Sequence, residues 1–279
     1  MVSHYKIKIK NGEKLFYRFS LSQRIQHIVL AVTVILLVLT GMPLRFHDAA
    51  WAPFLYALFG GIAYAPVVHR VAGSILLLLF VYHLAYLAYH IIRDDVRPLK
   101  QRGELTVISL FKLLLTQPLV PNLKDARDIL DLLKYLLFLT HERPQGAKWT
   151  WKEKFDYWAP FWGMLIIGTS GLILWNENLS ARLFSGEAIN YALIAHSDEA
   201  LLAGLFLFIW HWYNVHFSIS VFPMGTAFIN GYLTEELMIE EHYEYYVEVM
   251  TECGFSRDIK PPHGYHSDAE VMQGEGEAI

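Results

Sequence analysis

Cysteine is nearly missing from this chain. Cys253 stands alone among 279 residues, which excludes an internal disulfide and any four-cysteine metal site. Charge is scarce as well, at 18% of residues, too little for the surface of an ordinary soluble domain. The first twenty residues are polar and basic and lack an apolar core, so no cleavable signal is expected. The net charge of −4 is spread unevenly and points to no nucleic-acid partner. Internal repeats are not obvious, and no low-complexity tract is present.

Long apolar runs are what the sequence has instead. Hydrophobic residues make up 54% of the chain, and four windows reach the roughly 17–25 apolar residues that cross about 30 Å of hydrocarbon. They cover 25–44, 67–92, 157–175 and 200–222, with Trp158, Trp162 and Trp175 marking the ends of the shortest. The expected fold class is an all-α membrane protein: a four-transmembrane-helix bundle with cytoplasmic amphipathic helices. Lys and Arg set the orientation. Six lie in residues 1–24 and twelve in 93–154, against only Arg45 in 45–66 and Arg182 in 176–195. The positive-inside rule then puts both termini and the central loop in the cytoplasm of a bacterial inner membrane.

Three segments follow from this pattern. Residues 1–24 form a cytoplasmic N-terminal segment, and 25–222 a four-helix membrane domain with its cytoplasmic loop at 93–156. Residues 223–279 form a cytoplasmic tail. Within the loop, ELTVISLFKLLLTQPL (104–119) and DARDILDLLKYLLFL (125–139) have helical apolar spacing but carry too much charge to span. They read as interfacial or partner-facing helices. LTEELMIEEHYEYYVEVM (233–250) reads either as a solvated acidic helix or as a docking element for a partner subunit.

The spans also hold histidine, and imidazole at membrane depth is costly and marks function. His69 and His83 are fourteen residues apart, about 21 Å along a helix, and about 40° short of four whole turns, so they share a face. His196 and His211 are fifteen apart, about 22 Å with an azimuthal error of roughly 60°. Depth sorts these into an outer layer of His69 and His196 and an inner layer of His27, His83 and His211. Two imidazoles from different helices in each layer are what two six-coordinate haems in a bundle require. No Cys-x-x-Cys-His run occurs, so such haems are of b type, held by axial ligands alone. Gly73, one turn after His69, leaves room for a flat macrocycle, while Gly41 and Gly171 read as helix-packing positions. Arg24 and Arg70 sit where they can pair with propionates or reach headgroups. His216 points away from His211 and is not expected to ligate, and His4, His141, His242, His263 and His266 fall in polar segments.

RIQHIVLAVTVILLVLTG, with Arg24, His27 and Gly41, resembles the first span of the cytochrome b subunits of respiratory formate dehydrogenases and nickel–iron hydrogenases. VVHRVAG resembles the start of their second span, FWGMLIIGTSGLILW their third, and YALIAH…WHWY their fourth. The likeness covers roughly residues 18–235. It implies a di-haem bundle carrying electrons between a redox subunit, iron–sulfur or multihaem cytochrome, and a quinone, menaquinone or ubiquinone. Carried over by position, the outer haem takes His69 and His196, and the inner haem takes His27 and His211. Two features depart from that family: the fifteen-residue spacing in the fourth span, and the additional His83. A Complex III-like arrangement would instead set His83 opposite His211, so His83 competes with the preferred His27. His90, Asp94, Asp95 and Tyr213 are candidates for the quinone surface. The rival reading is a small transporter or metal-handling channel, but the spans carry essentially no carboxylates beyond Asp198 and Glu199 at the outer mouth to serve one.

Overall fold

The computed structural model describes residues 6–141 and 144–262; His4, His263 and His266 lie outside them, as does the tail beyond 262. The chain divides into two units. One comprises Ser20–Val120 and Lys154–Phe217, and the other the chain up to Phe19, Pro121–Glu153 and the chain from Ser218.

The first unit holds the four helices long and apolar enough to cross a membrane: Leu21–Arg45, Ala65–Gln101, Trp151–Trp175 and Gly186–Phe217. Local chemistry sets where each begins. Ser20 caps the first through a reciprocal pair with Gln23, and Thr150 and Glu153 form the same exchange at the third. The second starts on a proline in its first turn, and Ser185 caps the fourth by accepting from the Ala188 N–H. That cap starts the fourth helix fourteen residues before the apolar window at 200–222, because Glu187, Asp198 and Glu199 dilute hydropathy without interrupting the helix. The packing is that of a lipid-solvated bundle. Large apolar side chains such as Ile25, Val32, Leu78, Val81, Leu202 and Phe208 face outward, while polar Gln26, Thr33, Thr40 and Ser170 are buried. The Thr33 and Thr40 hydroxyls donate to carbonyls one turn back, Val29 O and Leu36 O, which makes them tolerable there. Arg45 meets Asp198 at 2.7 Å, joining the first span to the fourth.

The second unit adds a small three-stranded sheet to the helical architecture, ordered β1 (Ile7–Lys10), β2 (Glu13–Tyr17), β3 (Tyr232–Thr234). Asn11 and Gly12 make the β1–β2 turn with φ of 53° and 85°, the left-handed pair that a two-residue hairpin demands, and Lys10 pairs with Glu13 across it. β3 adds antiparallel to β2 with Phe16 opposite Leu233. Behind the sheet lie helices Glu235–Glu241 and Tyr243–Glu252. Met238, Tyr245, Tyr246, Val249 and Met250 bury against Phe16, at about 1.5–3 kcal/mol for each large side chain. Thus the acidic segment 233–250 is not wholly solvated. Its apolar stripe recurs at helical spacing and forms this unit's own core, with Glu244, Glu248 and Glu252 on the other side. Arg18 is buried; it donates to Glu153 and to Lys148 O and stacks 3.8 Å from the Trp149 ring centre. Burial holds the His242 imidazole below its ordinary pKa, so its neutral form donates from Nδ1 to Ala147 O at 2.9 Å. The two amphipathic stretches of the central loop are helical at Val107–Leu115 and Leu123–Leu136, each with a capping box and each too short to span.

Candidate functional site

Two imidazole pairs meet across the four-span unit. His69 of the second span and His196 of the fourth have ring centres 6.2 Å apart; His27 of the first and His211 of the fourth are 6.3 Å apart. Each pair brings imidazoles from two different helices together, and such a pair would hold the iron of a b-type haem.

The groups behind the rings fix which nitrogen is available. Thr40 spends its one hydroxyl proton on Leu36 O at 2.6 Å, so toward His69 Nδ1, 2.9 Å away, its oxygen accepts. Ser170 likewise donates to Ile166 O at 2.5 Å, and His196 Nδ1 lies 3.0 Å from Ile167 O and 3.3 Å from Ser170 Oγ. His211 Nδ1 lies 3.2 Å from Asp156 Oδ2. In these three rings Nδ1 carries the proton, which leaves the Nε2 lone pair for a metal and raises its basicity, most strongly beside the carboxylate. Glycines admit the rings: a Cβ on Gly41 would stand 3.1 Å from His69 Cε1, and one on Gly171 3.0 Å from His196 Cε1. These two, which read from sequence as helix-packing positions, are where the imidazoles approach backbone. At Gly73, expected to make that room, a Cβ would meet only Leu37 Cδ2 at 3.9 Å.

The fifteen-residue interval of the fourth span is also explained. Residues Leu207–His211 form a π-helical turn, which accommodates one extra residue relative to an α-helical turn. His196 and His211 thereby keep the alignment that fourteen α-helical residues would give.

His83 is engaged otherwise. Its Nδ1 lies 2.7 Å from Gln26 Oε1 and its Nε2 3.1 Å from the Tyr157 hydroxyl. His90 Nδ1 pairs with Asp94 at 3.2 Å, Asp94 with Arg93 at 2.7 Å, and Asp95 accepts from Gln117 at 3.4 Å; Tyr213 is exposed. Among the described residues no group of three or more His, Cys, Asp or Glu side chains converges.

Residues 18–218 match the sequence profile of prokaryotic cytochrome b561. The chain belongs to that family. A further relative, the cytochrome b556 subunit of formate dehydrogenase from Haemophilus influenzae, is 22% identical over 245 residues, 87% of each chain. The protein is thus a membrane b-type cytochrome, and haem b is the group its donor set fits: paired imidazoles with no thiolate beside them. The glycine contacts give this cytochrome a sharp test. Gly41→Leu should displace His69 at an overpacking cost of about 1–3 kcal/mol and lower the haem-to-protein ratio. Gly204→Ala, whose Cβ would meet only Val38 Cγ2 at 3.9 Å, should leave it unchanged.

Proposed function

We propose that this cytochrome is the quinone-reactive, di-haem membrane subunit of a respiratory oxidoreductase, passing electrons between a partner redox subunit and the quinone pool. The observation that carries the reading is the pair of cross-helix imidazole contacts at matched separations. In this reading His69 and His196 hold the outer haem, and His27 and His211 hold the inner one. Bound haem supplies one-electron chemistry. The chain's own work is to orient the four rings, keep Nδ1 of His69, His196 and His211 protonated and surround the rings with apolar side chains that exclude water.

Lys and Arg asymmetry supports cytoplasmic termini and central loop, with the inner haem and a menaquinone or ubiquinone toward that side. The partner in this reading is an extrinsic or membrane redox protein, iron–sulfur or multihaem; the cytochrome b556 subunit of formate dehydrogenase, a relative along 87% of its length, supports it. Purified protein should show a b-type Soret band, a sharp alpha band on reduction and two haems per chain by pyridine haemochrome assay. A colourless preparation refutes the cytochrome role, and one haem per chain refutes the two-layer assignment.

A further inference from the structure

His83, like His90 and His216, lies in a span but in neither pair, and an internal repeat explains its surroundings. Residues of the third span correspond to residues of the first 130 positions earlier. Thr150 and Glu153 repeat the Ser20–Gln23 cap. Ser170–Gly171 repeats Thr40–Gly41, each hydroxyl beside an outer histidine Nδ1 and each glycine under its ring. Each span pair is also joined through a seven-residue helix, Ala52–Leu58 or Glu177–Leu183.

The same correspondence organises the inner layer. Gln26 maps to Asp156, and they play one part: Gln26 Oε1 accepts from His83 Nδ1 at 2.7 Å as Asp156 accepts from His211 Nδ1 at 3.2 Å. His27 maps to Tyr157, and each faces the histidine of the opposite half. The His27–His211 ring centres are 6.3 Å apart, and those of Tyr157 and His83 5.9 Å. The bundle therefore contains a second inner-layer site related to the first by the repeat. Two exchanges change its chemistry. A phenol replaces one imidazole, and a neutral amide replaces the carboxylate that would raise the other imidazole's basicity.

We infer that Gln26, His83 and Tyr157 form a binding site for the ring of a quinone. The inference rests on the quinone-reactive reading above and names the residues that serve it. Gln26 fixes the proton on His83 Nδ1, so Nε2 is an acceptor, and the Tyr157 hydroxyl beside it at 3.1 Å is a donor. The pair thus matches both forms of the ligand: Tyr157 O–H donates to a quinone carbonyl, and His83 Nε2 accepts from a quinol hydroxyl. Around it stand flat side chains suited to an aromatic ring. Tyr86 stacks on His83 with centres 6.4 Å apart, Phe161 is edge-on to His83 at 5.8 Å, and Trp158 lies 5.3 Å from Phe161. Gln26 is buried, whereas His83 and Tyr157 are half-buried, so the site opens toward the acyl layer in which a hydrophobic quinone is dissolved.

The test uses haem-replete, quinone-free protein in nanodiscs, with menadione as the probe and binding followed by calorimetry. His83→Gln and Tyr157→Phe should each weaken binding about tenfold, the worth of one buried hydrogen bond, while both retain the wild-type haem content. Wild-type affinity in both variants would overturn this site and leave the quinone-reactive reading standing. Failure of the wild-type protein to bind menadione would overturn that reading too. Loss of a haem from Tyr157→Phe would make the pair part of the haem clamp and overturn the assignment.

Discussion

Replacing His69 or His196 with alanine should remove one b haem and spare the other. The haem content would fall from two per chain to one, and the reduced alpha band would lose about half its amplitude. The prediction is large because, on the proposed assignment, each ring would supply one of the two bonds to its iron, and among the described residues no other imidazole lies across from either ring. Thr40 and Ser170 hold the two Nδ1 atoms from opposite halves of the bundle, and Gly41 and Gly171 let the rings approach backbone. Pyridine haemochrome quantitation and a redox titration of the remaining haem decide it. Retention of both haems by either variant would refute the outer pairing. Thr40→Val gives a milder version: the haem stays, but its midpoint potential shifts, because the group oriented by the hydroxyl is the proposed ligand His69.

The four spans were legible because hydropathy over twenty residues is a strong signal that depends on no single side chain. The meeting of His69 with His196 and of His27 with His211 was legible in part, since rise per residue is nearly constant along a helix. What the sequence concealed is instructive. The misfit of His196 and His211 read as an azimuthal error, and the π-helical turn at Leu207–His211 that removes it has no residue signature. The internal repeat escaped notice because its correspondences are of role and not identity: His27 with Tyr157, Gln26 with Asp156, Thr40 with Ser170. Only the hydrogen bonds make them equivalent. The N-terminal hairpin, by contrast, had a readable cue. Asn11-Gly12 lies between alternating residues in IKIKNGEKLFY, the strongest short-range signal for a two-residue turn. The tail's aromatic and methionine stripe could not reveal its partner, because that partner is β2, more than two hundred residues earlier in the chain.

The inner layer yields the second large effect, because two histidines compete there on sequence and differ in three dimensions. His27→Ala should abolish the inner haem, leaving one haem per chain, whereas His83→Ala should retain both. For His83 to bind iron, its Nε2 would have to give up the Tyr157 hydroxyl and turn away from Phe161 and Tyr86, which pack beside it. Its Nδ1 is held by an amide, which adds little basicity to the ring. His211, by contrast, has a carboxylate at Nδ1 and His27 across from it. The same reasoning gives Asp156 a measurable role. Asp156→Asn should keep the inner haem in place but raise its midpoint potential, since a less basic imidazole stabilises the oxidised iron less. Should His83→Ala lose a haem while His27→Ala keeps two, the inner clamp would join the second span to the fourth, and the quinone ring could not occupy the His83 site.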